Sequence, residues 1–160
     1  MTIRYANIND LTAISSVEAE CFPPLEAASK SSIEQRLLHF PECFWLLYEN
    51  EKLISFVNGM STDIADLTDD MYDNASMHHP DGKWQMIFGV DTIPSHRNKG
   101  HAAHTLNAAI EDSKKRGKLG LVLTCKEKLI HYYAKFGFVN EGISESVHGN
   151  VIWYQMRLTF

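Results

Sequence analysis

The apolar positions of this chain fall into short runs, separated by stretches in which they recur at helical spacing. Ile3–Ala6 is a short run that predicts a first strand. Four apolar residues then lie near the spacing of one helical face: Leu11, Ile14, Val17 and Cys21. The Phe22-Pro23-Pro24 step ends this predicted helix, because proline lacks an amide hydrogen and restricts the residue before it.

The pattern continues through the middle of the chain with a second helix, a hairpin and an irregular segment. They are a helix from Ser31 or Ser32 to His39, a hairpin of Phe44–Tyr48 and Leu53–Asn58, and an acidic loop over residues 61–82. A loop of this length in a small domain is often functional or mobile.

The second half of the chain alternates between strand and helix patterns. The predicted elements are a strand Lys83–Thr92, a helix from about Gly100 to Lys115, a strand Leu119–Thr124, a short helix Lys126–Lys135, and closing strands at Phe138-Val139 and Val151–Leu158. This order predicts an α+β fold, with a mixed central sheet flanked by helices on both faces. The length predicts a single domain over residues 1–160.

Composition narrows the classes of function. The net charge of −5 argues against general binding to nucleic acid or anionic membranes. No apolar run approaches the roughly 20 residues of a membrane span, and the first residues lack the apolar core of a signal peptide. The three cysteines show no paired spacing, which predicts reduced thiols, a cytoplasmic protein and no metal site.

The basic segment Arg97–Ala102 lies between the predicted strand that ends near Thr92 and the helix that follows. The first turn of a helix has unpartnered N–H groups and partial positive charge, so it attracts anions. Gly100 lets a phosphate approach the backbone, and Arg97 and Lys99 add positive charge. The segment therefore predicts a pyrophosphate-bearing ligand.

A second motif turns this prediction into a family resemblance. Tyr133-Ala134-Lys135-Phe136-Gly137-Phe138 is similar to the C-terminal Tyr-x-x-x-Gly-Phe signature of the GNAT superfamily of N-acetyltransferases, and Arg97–Ala102 resembles its acetyl-CoA pyrophosphate loop. Within the superfamily, the chain looks like the serotonin (arylalkylamine) N-acetyltransferase branch. The segments that carry this closer resemblance are Glu18-Ala19-Glu20-Cys21-Phe22, Leu67-Thr68 with His78-His79-Pro80-Asp81-Gly82, and Cys125 upstream of Tyr132-Tyr133.

The resemblance implies direct transfer of acetyl from acetyl-CoA to an amine, without a metal. It implies that the sheet splays between the strand ending near Thr92 and the strand Leu119–Thr124. The implied cofactor-binding residues are Val90, Asp91 and Thr92, which pair with the pantetheine arm, and Arg97, Asn98, Lys99, Gly100, His101, Ala102 and Ala103 around the pyrophosphate. Tyr133 is the implied acid that protonates the departing thiolate, and the Val90 N–H is a candidate oxyanion donor.

The chain departs from this branch at the general base, the group that removes a proton from the amine. In a gapless alignment the two histidines that relay the proton fall at Met86 and Phe88. The remaining candidates are Glu18, Glu20, Glu26, His78, His79, His148 or a chain of water molecules. The expected substrate-binding residues are Phe22, Pro23, Leu25, Glu26, Trp84, Gln85 and Met86.

Three functions remain open. The favoured one is acetylation of a small primary amine, arylalkylamine-like or polyamine-like. The first alternative is acetylation of a protein at its N-terminus or at a lysine, which shares the acetyl-CoA site. The second is a non-catalytic acyl-CoA-binding sensor, which the missing histidines motivate. The expected partners are acetyl-CoA and a small amine, without nucleic acid or membrane; a homodimer stays open.

Overall fold

The computed structural model describes residues 1–160. The strands are β1 (Thr2–Tyr5), β2 (Phe44–Glu49), β3 (Lys52–Asn58), β4 (Ser61–Thr62), β5 (Trp84–Ile87), β6 (Gly89–Thr92), β7 (Gly120–Cys125), β8 (Val139–Ile143) and β9 (Tyr154–Thr159). The helices are α1 (Leu11–Cys21), α2 (Lys30–His39), α3 (Asp69–Asp73), α4 (His101–Lys115) and α5 (Ile130–Ala134). The predicted α+β architecture is confirmed.

The strands form two sheets that part in the middle of the molecule. One has the order β1-β2-β3-β6, and the other has the order β4-β5-β7-β9-β8. β5 pairs in parallel with β7, whereas β6 pairs antiparallel with β3. The strand before the pyrophosphate loop therefore leaves β7 partway along, and the predicted splay between these strands is confirmed.

The predicted strand Lys83–Thr92 is not continuous, because it divides at Phe88 between β5 and β6. Met86 donates its N–H to the Met60 carbonyl at 2.7 Å, and Phe88 donates its N–H to the Asn58 carbonyl at 2.7 Å. These bonds transfer the chain from one sheet to the other. A period-two pattern does not reveal such a change of partner, because both halves of the strand are apolar.

Local sequence explains where the first helices begin. Asn7 and Asp10 form a capping box that starts a short turn, and α1 continues from it. Ser29 caps α2 by accepting the N–H of Ser32, so this helix begins one or two residues before the predicted start.

The hydrophobic core lies between the sheets and the helices that cover them. α4 buries Leu106, Ala109 and Ile110 along one side, as its spacing predicts. The largest fully buried side chains include Trp45 and Phe56 of the first sheet. None of the helices combines the length and hydropathy that a membrane span requires.

The acidic segment 61–82 is ordered by contacts with the C-terminal strands. Leu67 donates its N–H to the side chain of Gln155 at 3.1 Å. Arg157 on β9 bonds to Asp66 at 2.7 Å and to the Ala65 carbonyl at 2.8 Å. These contacts fix the position of α3, which contributes side chains to the cleft described next.

Candidate active site

A cleft of about 870 Å³ opens where the two sheets diverge. Its wall combines side chains from α1, α2 and α3 with β3, β6, β7, α5, the start of α4 and the loop before β9. We call β6, residues 97–103 and Tyr133 the cofactor side. We call the loop 22–29, the loop 146–153 and the residues Arg36, Tyr72 and Phe88 the acceptor side.

The backbone of the loop before α4 is shaped to present N–H groups. Asn98 and Gly100 have φ values of 61° and 84°. The first intrahelical bond runs from the His104 N–H to the Gly100 carbonyl at 3.0 Å, so the preceding N–H groups have no helical acceptor. No side chain caps this helix, and Gly100 through Ala103 line the cleft. The loop is therefore open to an anion.

The two charged residues of this loop behave differently. Arg97 lines the cleft, and its Nε donates to the Thr92 carbonyl at 3.1 Å, which ties the loop to the end of β6. Lys99 is exposed and does not line the cleft. On β6, Val90 and Thr92 line the cleft, whereas Asp91 is fully buried behind it.

Tyr133 lies on α5 in the wall of the cleft, and its side chain is largely buried. Its ring makes edge contacts with Tyr132 and Phe138, at centroid distances of 5.2 Å and 6.0 Å. Burial, followed by the nearby Cys125 thiol, raises the pKa of the Tyr133 phenol far above its usual value. The group therefore keeps its proton over the whole physiological range and can act as a proton donor.

The acceptor side is covered where two loops meet. The Lys126 ammonium forms an ion pair with the Glu26 carboxylate at 2.8 Å, and the Glu26 side chain is buried. His148 Nε2 donates to the Glu26 carbonyl at 2.8 Å, and Trp153 Nε1 donates to the His148 carbonyl at 2.7 Å. The His148 bond joins the loop 22–29 to the loop 146–153, and the Lys126 ion pair joins the loop 22–29 to the segment after β7.

Aromatic rings form the inner wall of the acceptor side. The Tyr72 ring stacks on His148 at 5.3 Å and lies 4.7 Å from the Phe88 ring. Arg36 places its guanidinium 4.7 Å from the centre of the Phe88 ring. Phe88, where the resemblance to the arylalkylamine branch predicts a histidine, thus presents an apolar ring to the cleft between β5 and β6.

Residues 11–138 match the model of the Acetyltransferase (GNAT) family. The chain belongs to the GNAT acetyltransferase family. As a GNAT protein it is an acyltransferase that uses acetyl-CoA as its cosubstrate, which agrees with the anion-binding loop and the proton donor described above. No curated protein sequence matches the chain significantly.

Solved structures share the GNAT fold over almost the whole chain. The GNAT-like decarboxylase GphF, in complex with isobutyryl-CoA, has a TM-score of 0.85 at 18% identity and covers 99% of both chains. The loading GNATL domain of CurA from Lyngbya majuscula has a TM-score of 0.85 at 14% identity, over 99% of this chain and 96% of that one. The ribosomal-protein-S18-alanine N-acetyltransferase from Escherichia coli has a TM-score of 0.74 at 18% identity, over 99% and 92%. At these identities the likeness shows the fold.

Several predicted site residues of this GNAT protein do not line the cleft. Met86 is in the core, and the buried Gln85 amide donates to the Met60 and Met86 carbonyls. Trp84 packs under the guanidinium of Arg157, and Leu25 is 72% exposed. Phe22, Pro23 and Glu26 do line the cleft. The prediction placed Trp84–Met86 at the cleft because it treated β5 and β6 as one strand.

The prediction that Asp91 binds the cofactor needs a similar correction, because the backbone of Asp91 already pairs with β3. Asp91 pairs with Phe56 of β3, and its carbonyl accepts the hydroxyl of Ser55 at 2.7 Å. Asp91 and Lys99 therefore belong to the cofactor side without lining the cleft.

Arg36, Tyr72 and Phe88 line the acceptor side, but they were not predicted from the sequence as substrate-binding residues. Arg36 is buried, and it donates to the Asn58 side chain at 3.0 Å and to the Tyr72 carbonyl at 3.1 Å. Arg36 follows Ile33 by three residues on the buried face of α2, and that spacing is the one signal that indicates its position.

A second cluster of donor atoms lies outside the cleft. Donor atoms of Glu42, Cys43 and His78 lie within 4.8 Å of one another. His78 Nδ1 accepts the Ser61 N–H at 3.1 Å, so the ring proton sits on Nε2, which faces Glu42 at 3.3 Å. Burial raises the pKa of the Cys43 thiol to about 11. A metal ion at this cluster would have to displace the protons of His78 Nε2 and of the Cys43 thiol.

Proposed function

We propose that this protein transfers the acetyl group of acetyl-CoA to the primary amine of a small molecule, arylalkylamine-like or polyamine-like. The observation that carries the proposal is the acceptor side, where two loops meet beside a wall of aromatic rings. Glu18, Glu26 and Asp73 supply carboxylates to the cleft, and Arg36 and Lys126 supply positive charges to it. Carboxylates attract a cationic amine, and aromatic faces suit both a cation and an apolar ring.

On the cofactor side we assign four tasks to this chain's own residues. The N–H groups from Asn98 to Ala103 hold the pyrophosphate. The free edge of β6, at Val90 and Thr92, pairs with the pantetheine arm. The Val90 N–H stabilises the oxyanion that forms when the amine attacks the thioester. Tyr133, which its burial keeps protonated, donates its phenolic proton to the departing thiolate.

The covered acceptor side favours a small molecule over a protein substrate. An extended peptide needs an open groove on both sides of the reacting amine. Here the bond from His148 to Glu26 joins the two loops, and the ion pair with Lys126 holds Glu26 to the segment after β7. Binding a peptide would require these bonds to break, which raises its cost relative to a compact amine.

Release of the free thiol of CoA tests this function across four acceptor classes: arylalkylamines, polyamines, aminoglycosides, and short peptides with free amino termini and lysines. The proposal predicts turnover with at least one small amine and little with the peptides. Preference for a peptide would support the protein-acetylating alternative. Calorimetric binding of acetyl-CoA without turnover on any amine would support the sensor.

Arg36 supports a second candidate function, the decarboxylation of an acyl-CoA whose acyl group carries a carboxylate. Its guanidinium is buried in the cleft wall, Nε has no hydrogen-bond partner, and no carboxylate pairs with it directly. GphF, which has the same fold, is a GNAT-like decarboxylase, so this fold accommodates decarboxylation. Incubation with malonyl-CoA, with and without an amine, separates the candidates: release of carbon dioxide supports this one, and inert malonyl-CoA removes it.

A further inference from the structure

Glu18 is a buried carboxylate on α1 that lines the cleft. Its Oε2 accepts the N–H of Ala28 at 2.8 Å, which fixes the orientation of the carboxylate. Its Oε1 faces Gly89: a methyl group on Gly89 would lie 3.9 Å from this oxygen. Gly89 directly precedes Val90, so a fixed carboxylate oxygen lies beside the assigned oxyanion donor.

Asp91 meets Glu18 at the same point. It is fully buried, and neither of its carboxyl oxygens has a hydrogen-bond donor. The same methyl group on Gly89 would lie 2.9 Å from Asp91 Oδ1. The absence of a side chain at Gly89 leaves the space in which the two carboxyl groups approach each other.

Two ionised carboxylates are unstable in such a place, because burial and their mutual repulsion both disfavour the second charge. A proton on one of them converts the repulsion into a hydrogen bond. Burial, followed by the charge of Glu18, raises the pKa of Asp91 well above its usual range. Asp91 is therefore the neutral partner of the pair.

The surrounding groups are compatible with this distribution of charge. The titratable and charged groups that face the pair are Cys21 on α1, Arg36 on α2, Tyr72 and Asp73 on α3, Arg97 after β6 and Tyr133 on α5. Burial raises the pKa values of Cys21, Tyr72 and Tyr133, so these three groups are neutral near pH about 7. Arg36 and Arg97 supply positive charge and Asp73 supplies a further carboxylate, so the surroundings offset one carboxylate of the pair and not two.

We propose that Glu18 and Asp91 form a carboxyl pair that shares one proton, in which Glu18 is the general base for the acceptor amine and Asp91 is its positioning residue. This proposal rests on the proposed function. It accounts for a chain in which the resemblance places the two relay histidines at apolar residues, Met86 and Phe88. The base comes instead from α1 and reaches Gly89, at the start of β6.

Two protons leave the nitrogen, because the amine binds as an ammonium ion. Glu18 Oε1 takes the first proton and passes it to solvent, which frees the lone pair. The amine nitrogen then forms a bond to the thioester carbon, and Glu18 Oε1 takes the second proton. The carbon–sulfur bond breaks, the thiolate receives the proton of Tyr133, and the second proton returns from Glu18 through solvent to the phenolate. The sum is one amide, one CoA thiol and one proton from one ammonium ion and one acetyl-CoA.

The substitution Glu18→Gln tests the base. It should lower kcat at neutral pH by about a hundredfold, within the usual range for general-base catalysis. The deficit should narrow as pH rises toward the pKa of the amine, because a free amine needs less help. The dissociation constant of acetyl-CoA should not change. Glu20→Gln is the matched control, because Glu20 is exposed on the same helix. A Glu18→Gln deficit that is the same at every pH, or no larger than that of Glu20→Gln, overturns the proposal.

The substitutions Asp91→Asn and Asp91→Val test the positioning residue. Asparagine keeps a neutral group that can donate to Glu18, so the acid limb of the kcat profile should stay where it is. Valine removes the donor, and the acid limb should move to higher pH, because Glu18 then ionises less readily. A purely structural role would lower kcat in both variants without moving that limb.

Infrared difference spectra between the wild type and Asp91→Asn provide a readout that needs no turnover. The C=O stretch of a protonated carboxyl group should be present in the wild type at neutral pH and absent from the variant. If no amine is acetylated but this band is present, the proposed function fails while the shared proton stands. If the band is absent, the carboxyl pair is wrong whatever the protein acetylates.

Discussion

The cofactor side and the acceptor side of the cleft are built from different parts of the protein. The cofactor side uses backbone: the free edge of β6, the left-handed Asn98 and Gly100, and the first N–H groups of α4. The acceptor side uses side chains from segments that are far apart in sequence, such as Glu26, Tyr72 and His148. Backbone binding tolerates changes in most side chains, whereas the acceptor side changes its chemistry with single substitutions.

The largest effect that separates the two sides is expected from Tyr133→Phe. Removing the acid for the thiolate should lower kcat by about a hundredfold or more. The dissociation constant of acetyl-CoA should change little, because the ring remains. Tyr154→Phe is the control, because Tyr154 is a half-buried tyrosine on β9 outside the cleft. Unchanged kcat in Tyr133→Phe would remove the acid assignment.

Gly100→Val tests the backbone character of the cofactor side. Gly100 has φ of 84° with no atom within 4 Å of an added Cβ, so the substitution acts through backbone strain. The strain of about 1–2 kcal/mol should weaken acetyl-CoA binding by about tenfold while kcat at saturation is retained.

Gly117→Val is a closely matched control for this experiment. Gly117 follows the other end of α4, has φ of 75° and also has free space for a Cβ. Its strain should reduce stability without affecting acetyl-CoA binding. Equal losses of affinity in the two variants would mean that the loop binds no pyrophosphate.

Lys126→Ala should act on the acceptor side alone. Losing the partner of Glu26 should raise the KM of the amine by at most about fivefold, because ion pairs with a partly exposed member are weak. The KM of acetyl-CoA should stay constant. Lys135→Ala is the control at an exposed position after α5. A larger effect on acetyl-CoA than on the amine would show that the two sides are not separable.

The smallest expected effect concerns alkaline pH. Because burial raises the pKa of Tyr133, this phenol stays protonated above the range in which an ordinary tyrosine ionises. The kcat should therefore show no decline from this group up to pH about 10. A fall in kcat near pH about 9, absent from Tyr133→Phe, would mean that Tyr133 ionises normally.

The difference between the two sides also determines how much could be predicted from the sequence. The loop Arg97–Ala102 was predictable, because a glycine and a helix start at fixed spacing imply free N–H groups whatever the neighbouring side chains are. The division at Phe88 was not predictable, since apolar residues on both sides of it give no sign that the strand changes sheet. That change put Gln85 and Met86 in the core.

Arg36 and Asp91 show a second limit. Arg36 lies on an amphipathic helix where a charged residue usually faces solvent, and its burial depends on Asn58 and the Tyr72 carbonyl, which lie far away in the chain. The side chain of Asp91 meets Glu18 through the packing of α1 against β6. Such contacts depend on tertiary structure, so a single sequence does not specify them.

The central claim, that the joined loops and the aromatic wall of the acceptor side select a compact amine, is tested most directly by a ratio of kcat/KM values. The two acceptors are a small aromatic primary amine and a short peptide with a free amino terminus, compared at one acetyl-CoA concentration. The account predicts a preference for the small amine of about tenfold or more, because the peptide must open the joined loops. A preference for the peptide would contradict it.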